Sequence, residues 1–432
     1  MTSPAGKAAN SGTAGGLAAA DVRAATARLR AGGPRAVIEA ARALAPTLVA
    51  RAERDDRTGA FPAENIAAIW AAGLGNLTIP VKLGGVGTTV TATARAVEAL
   101  GGADPASALI LVMHLAQHLV MDVPELAWPT GLRRRLAEDS LDGPALVNNL
   151  RVEPDLGTPA RGGVPATRAT PVTAADGSPG WRVSGRKIYS TGSTGLAWMI
   201  VHAATADTDP DGVRIGSFLV PGGAAGVEVI ETWDHLGLRA SASHDVVFHE
   251  VEIPADHAVR LEPADSGPAT GLAGGPGAQA AYAALTVLIG AIYTGVARSA
   301  RDWVVGFLNE RVPTNLGAPL ATLPRFQEAV GEMEALIYDS DRLVFGLAEE
   351  IDTRPDALTG NPGLVKVLSS RNVIATVEAG LKVTGNPGLT MTNPLQRHHR
   401  DALCSRVHTP QEDAVLVGTG RASLARHSRP NQ

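Results

Sequence analysis

The stretch Gly185–Gly192, GRKIYSTG, decides how this chain is read. It has the look of a strand end that breaks into a tight loop. Within a few positions it gathers two basic residues, an aromatic ring and two hydroxyls, and it stops on a glycine. Taken alone it has two readings. One is a buried tyrosine followed by a turn in which Ser190 and Thr191 hydrogen-bond nearby backbone. The other is a wall, in which the ring covers a flat ligand and a hydroxyl bonds the ligand's edge.

Its surroundings place it inside a β-rich region. From about Ala145 to Leu261, short β-branched runs are separated by Gly, Pro and Asp: GWRVSGRKIYS, AWMIVHAAT, RIGSFLVPG, GVEVIET and HDVVFHEVEIP. Strands at this spacing predict a small antiparallel barrel or sandwich. The flanks are helical. Toward the N-terminus, RAVIEAARALAPTLVARAERDD carries apolar residues at helical spacing. A helix is expected after Pro62 and should stop near Gly73. Another should begin with Asp104 as its cap and Pro105 at its first position. Toward the C-terminus, SGPATGLAGGPGAQ (Ser266–Gln279) reads as a Gly-rich linker, followed by long helices that are apolar on more than one face. Such helices predict a bundle whose outer faces are covered by further subunits. The expected division is a partly disordered segment 1–33, a helical domain 34–144, a β domain 145–262, a linker 263–279 and a helical bundle 280–432.

Composition limits the function classes. The chain has 432 residues, 45% hydrophobic and 19% charged, with a net charge of −5. That balance gives no reason to expect a nucleic-acid partner. Cys404 is the only cysteine, so no intrachain disulfide or multi-cysteine metal site is possible. No run approaches about 20 uninterrupted apolar residues with membrane flanks, and the apolar stretch Ala281–Ala297 reads as a buried helix. The first 33 residues lack the pattern of a signal peptide, which makes the cytoplasm the expected compartment.

Two further clusters carry chemistry. The loop RVEPDLGTPARGG (Arg151–Gly163) offers backbone N–H groups and the Thr158 hydroxyl to an anion such as a pyrophosphate. The segment RHHRDALCSRVHTPQED (Arg397–Asp413) holds three histidines without hydrophobic periodicity. His398 and His399 are adjacent and cannot share a helix face, and only Asp401 offers a carboxylate between His398 and His408, so metal spacing is poor. An acid–base histidine fits better. His114, His118 and Met121 on MHLAQHLVMD either point toward a substrate cavity or belong to the packing of their helix.

In order along the chain, these segments resemble the acyl-CoA dehydrogenase superfamily of flavoproteins, from about Arg35 to Ala425. EPDLGT is similar to the family's Glu-Pro-x-x-Gly-Ser loop, and GRKIYSTG to its Gly-x-Lys-x-Trp-Ile-Thr-Asn. WDHLGLRASASHDVVFHEVEIP, RVPTNLGAPLATLPRFQ and TGNPGL with RHHRDA complete the series. The resemblance implies an α+β fold: an N-terminal helical domain, a central antiparallel β-barrel domain and a C-terminal four-helix bundle, assembled as a homotetramer. It also implies a flavin, FAD or FMN. By position, Thr158 would meet the flavin phosphate region, Tyr189 would take the place of the tryptophan beside the ring system, and Thr191 that of the hydroxyl at its edge. Arg311 and Gln327 match residues that reach a neighbouring subunit's flavin. Gly385 and Asn386 match the loop that closes over the cofactor, where Lys382 replaces the usual glutamine.

The chain departs from the dehydrogenases where their chemistry is done. Removing an α-proton from an acyl thioester calls for a carboxylate base. One family position for it falls on Thr409, next to His408, and the other lies in the first bundle helix, where no Asp or Glu occurs from Ser266 to Arg301. YSTG and RHHRDALCSRVHTP are similar instead to the monooxygenase branch that includes dibenzothiophene desulfurisation enzymes and N-hydroxylases. That branch takes reduced flavin from a separate reductase and, with O2, forms a C4a-hydroperoxide that oxygenates S, N or an aromatic carbon of a small molecule. His408 would then handle the proton, and Ser190 or Thr191 would bond the peroxide. The alternatives are an acyl-CoA or acyl-carrier dehydrogenase with a non-standard base, and a flavin-free, non-catalytic member.

Overall fold

The computed structural model describes residues 17–157, 162–265 and 275–426. Five helices come first: α1 (Ala19–Thr58), α2 (Ala63–Ala71), α3 (Val90–Ala103), α4 (Pro105–Asp122) and α5 (Thr130–Asp142). Eight strands follow: β1 (Leu146–Leu150), β2 (Arg168–Thr173), β3 (Pro179–Lys187), β4 (Leu196–Thr205), β5 (Arg214–Pro221), β6 (Val227–Ile230), β7 (Asp245–Pro254) and β8 (Ala258–Pro263). The chain then returns to helices: α6 (Gly275–Glu310), α7 (Pro324–Thr353), α8 (Pro362–Thr384), α9 (Leu395–Cys404) and α10 (Glu412–Ala425).

The α4 start is as expected. Asp104 caps it by accepting from the Ala106 N–H, and Pro105 opens it. The first helix begins earlier than Pro34. Its residues Val22, Ala25 and Leu29 recur at helical spacing and are buried, a signal masked by the Ala- and Gly-rich composition around them. Gly33, at φ 66°, breaks the run just before Pro34. The Gly-rich linker call falls largely on residues 266–274, outside the described residues.

The sheet is mixed rather than antiparallel. Its hydrogen-bonded order is β6-β7-β3-β2-β4-β5-β8, with β1 also on β4. The pairs β1–β4 and β2–β4 are parallel. Parallel strands need both faces covered, and β4 (LAWMIVHAAT) is buried along almost its whole length. It pairs with three neighbours, and its run of apolar residues supplies core on both sides.

Helix α6 is the axis of the C-terminal half. It is long and apolar enough to cross a membrane by length and composition, yet 83% of its most apolar window is buried inside the protein. It packs against α3, α4, α7, α8 and α9. A helix apolar on all sides finds its place only in such a cage.

Candidate functional site

The stretch Gly185–Gly192 leaves the end of β3 under tight constraint. Gly185 sits at φ 150°, and a Cβ there would press on the Thr167 side chain and backbone. Thr167 is needed in place, because its hydroxyl and N–H both donate to the Glu153 carboxylate, at 2.6 and 3.0 Å. Lys187 donates to the same carboxylate at 2.6 Å and to the His202 carbonyl at 2.5 Å. Lys187 is 0% exposed and Glu153 2%. The pair therefore clamps the EPDLGT loop onto GRKIYSTG. Burial acts to raise the Glu153 carboxyl, but the Lys187 ammonium, the Thr167 hydroxyl and the Ala166 N–H outweigh it and hold it below its ordinary value. Desolvation pushes Lys187 down to about 8.

Beyond the clamp the chain turns out to solvent. Tyr189 adopts φ 55°, a left-handed conformation that costs a non-glycine residue roughly 1–2 kcal/mol. Backbone bonds on both sides impose it: Ile188 N–H to Val152 O and Ser190 N–H to His244 O, both at 3.0 Å. The result is a ring that is 56% exposed. It meets Trp233 and His235 edge-on, with centroids 6.3 and 6.0 Å away, and those two rings stack at 3.5 Å. Behind the ring, Thr191 Oγ1 accepts from Ser243 Oγ at 3.0 Å, which leaves the Thr191 proton to donate elsewhere. Ser190 Oγ is sealed from solvent with no partner among the described residues, so of the two hydroxyls Thr191 is the better placed to reach a ligand.

A second group gathers behind α9. Arg400 holds Asp56 with two bonds at 2.9 and 2.6 Å and donates to the Leu236 carbonyl at 2.8 Å. Asp401 accepts from the Leu238 N–H at 2.7 Å, and burial pushes its carboxyl up to about 7. A Cβ on Gly237 would collide with the Arg400 backbone oxygen, so only glycine lets the helix sit this close. The loop that carries Trp233 and His235 is thereby pinned to α9. Beyond α9, half-buried His408 shares a 2.6 Å hydrogen bond between its Nε2 and the hydroxyl of Tyr293 on α6. Desolvation, with a smaller contribution from the Lys366 ammonium, pushes His408 down to about 4. Burial raises the Tyr293 phenol well above its ordinary value.

A cleft of about 460 Å³ is lined among others by Tyr282 of α6, Asn361, Pro410 and Val415, and none of the wall residues or His408 lines it. Arg151, at the end of β1, interacts electrostatically with Tyr282, whose phenol burial pushes up to about 12.

The site residues expected from sequence thus fall into three sets. Tyr189, Ser190 and Thr191 share one wall. His408 stands in the bundle, and no hydrogen bond or ring contact among the described residues joins it directly to that wall; the wall touches the loop between β6 and β7, and that loop is bonded to α9. Arg311, Gln327, Lys382, Gly385 and Asn386 are exposed and belong to neither group. Gln327 bonds the Ala321 carbonyl at 3.0 Å, in the turn that precedes α7. Thr158 lies outside the described residues. His114 belongs to packing: it is fully buried, bonds Gly75 O at 3.1 Å and the Val147 N–H at 3.2 Å, and touches the rings of Trp70 and His118. Met121 lies in a small core cluster with Trp198. No cluster of metal-binding side chains occurs among the described residues. Tyr293 escaped the sequence reading, which searched α6 for acids. Its signal was one of only four tyrosines, set in an apolar run.

Comparison with known proteins gives three sequence-profile matches. Residues 34–123 match the acyl-CoA dehydrogenase N-terminal domain, 153–251 its middle domain and 287–411 its C-terminal domain. The putative acyl-CoA dehydrogenase YdbM of Bacillus subtilis is 33% identical over 368 residues, 84% of this chain and 90% of that protein. L-evernosamine nitrososynthase of a Micromonospora strain is 28% identical over 409 residues, 90% of each chain. Among solved structures, KijD3 in complex with FMN and dTDP-3-amino-2,3,6-trideoxy-4-keto-3-methyl-D-glucose superposes with a TM-score of 0.77 at 26% identity, covering 92% of this chain and 95% of that one.

Proposed function

The chain belongs to the acyl-CoA dehydrogenase family, and from that premise we propose that it is a flavin-dependent monooxygenase that oxygenates nitrogen or sulfur, or an aromatic carbon, of a small molecule. The wall described above fits a flavin. It offers an exposed aromatic ring on rigid backbone and, at its edge, a hydroxyl with a proton to give. Tyr189 and Thr191 would hold the ring system and Thr158 its phosphate, while Arg311, Gln327, Lys382, Gly385 and Asn386 of a neighbouring copy would complete the site. This division explains why those five residues lie exposed and apart in the single chain, and it makes the working unit a homo-oligomer. Reduced flavin, delivered by a separate reductase, supplies the two electrons with which O2 gives one oxygen atom to the substrate and the other to water.

The observation that carries the reading is the absence of a base. Thr409 stands at one position where a dehydrogenase keeps its carboxylate, and α6 has no acidic residue before Asp302. In their place the site has the neutral imidazole of half-buried His408, tied to Tyr293. A neutral imidazole can hold and pass a proton close to the reacting oxygen without adding charge to the site. The names of the nitrososynthase relatives favour an amine as the oxygen acceptor.

The competing reading, dehydrogenation of an acyl thioester, has the name of the 33% identical relative behind it. The two separate in one experiment. The oxidised flavoprotein is mixed without oxygen with propionyl-, butyryl- and octanoyl-CoA. A monooxygenase keeps its flavin colour with all three, and bleaching by any of them overturns the proposal.

A further inference from the structure

Tyr293 has no part in the expectations for this fold, yet among the described residues its hydroxyl is the hydrogen-bond partner of the His408 ring. Its hydroxyl lies 2.6 Å from Nε2, with the two rings tilted by 43° and their centroids 5.7 Å apart. Tyr293 is 2% exposed, in the middle of α6. A phenol in that position stays neutral and carries a proton that must be given to an acceptor, since a buried hydroxyl without one is costly. The acceptor within reach is Nε2. A neutral imidazole has a single N–H, so an Nε2 that accepts puts the ring's proton on Nδ1. The charged or titratable groups facing the pair are Lys366 on α8 and Asp401 and Cys404 on α9. Lys366 is itself bound to the Arg406 carbonyl at 3.0 Å.

We propose that Tyr293 is a positioning residue that fixes His408 as its Nδ1–H tautomer, so that the imidazole serves as a hydrogen-bond donor and not as a base. This rests on the assignment of His408 to the reaction made above. The opposite arrangement, with Nε2–H donating to the phenol, would leave the Tyr293 proton without an acceptor and free the Nδ1 lone pair for proton abstraction. The choice between donor and base is therefore made by one hydroxyl on α6, 115 residues earlier in the chain. It also distinguishes glutamine from alanine at His408. A glutamine can accept from Tyr293 through its carbonyl oxygen and donate through its NH2, repeating the imidazole's pairing without any basicity.

The test reads the tautomer directly. The full-length protein is labelled with 15N-histidine, and the His408 signal is assigned by its loss in His408→Gln. The expected result is a ring protonated at Nδ1 in the wild type and a mixture of tautomers in Tyr293→Phe. A ring protonated at Nε2 in the wild type, or an unchanged tautomer in Tyr293→Phe, overturns the proposal. Phenylalanine preserves the packing volume, so the fold should survive; unchanged thermal unfolding verifies it. In a product assay with reduced FMN, O2 and a dTDP-linked amino sugar as probe, Tyr293→Phe lowers kcat roughly tenfold with little change in KM. There His408→Gln retains more activity than His408→Ala, and equal loss in both would show a base and overturn the donor role. The tautomer is read without turnover, so the absence of oxygenation with a correct tautomer would count against the monooxygenase reading alone.

Discussion

At the scale of single residues, Tyr189 shows how the site is built by constraint. Its left-handed backbone is paid for by backbone bonds to Val152 and His244 on either side, and what the protein gains is a ring standing free of the core. Because the ring is exposed, its removal should cost binding and spare stability. Tyr189→Ala is expected to weaken flavin binding about three- to tenfold, as an aromatic contact of this kind would, with no change in melting temperature; fluorescence titration and thermal unfolding measure the two. Equal affinity would take Tyr189 off the wall. The chemical identity of this stretch was legible in the sequence, since the ring and hydroxyls were visible and the order of motifs gave them a place. Its conformation was not, because a positive φ at a tyrosine follows from hydrogen bonds to Val152 and His244, residues far apart in the chain. Tyr293 was illegible for a similar reason. Within an apolar helix a tyrosine reads as core until a partner from another element appears beside its hydroxyl.

At the scale of elements, two joints hold the site. The first is the Glu153–Lys187 pair, which fastens the loop after β1 to the end of β3. Both residues sat in quoted motifs, but their pairing depends on the register of β3 and on the return of the chain past Thr167, which no local pattern encodes. Removing one partner leaves a charge buried and alone. Lys187→Met is expected to cost about 3–5 kcal/mol in chemical denaturation, and Lys187→Met with Glu153→Gln to recover a large part of it. The second joint is Gly237 against Arg400, with Asp401 bound to the Leu238 N–H. Gly237→Ala should push α9 outward, lower stability by about 1–3 kcal/mol and reduce turnover, because α9 leads directly to His408. Full activity in a stable Gly237→Ala protein would mean that α9 does not position His408. The helices themselves were well announced by capping and periodicity, as at Asp104 and Pro105. The sheet was announced only as strands; the parallel pairing of β1 and β2 with β4 is a matter of topology, and alternation patterns do not report it.

At the scale of the whole molecule, burial of histidines sets the response to acid. His114, His202 and His398 are pushed down to about 3 and His408 to about 4 from an ordinary 6.5, each by desolvation. A histidine whose folded value is lowered binds its proton more readily when unfolded, so its contribution is complete above about 6.5 and is lost as the pH falls toward 3 or 4. Asp104 and Asp401, both raised by burial, act in the opposite sense over part of that range. Glu153 and Asp341, both lowered, act with the histidines. Melting temperature should therefore fall steadily between pH 6.5 and 4 and change little between pH 7 and 8, where Lys187 and Lys366 begin to titrate; a flat profile down to pH 4.5 would contradict these burials. The general architecture was readable from the succession of helices, strands and helices, while the proposed reaction rests on what is missing at Thr409 and along α6. That absence makes oxygen the decisive reagent. Rapid mixing of the reduced, flavin-loaded protein with O2, followed by absorbance, is the most direct measurement. Oxygen transfer predicts reoxidation in two phases, with a species absorbing in the near ultraviolet preceding the oxidised flavin; a single slow phase straight to oxidised flavin would contradict it.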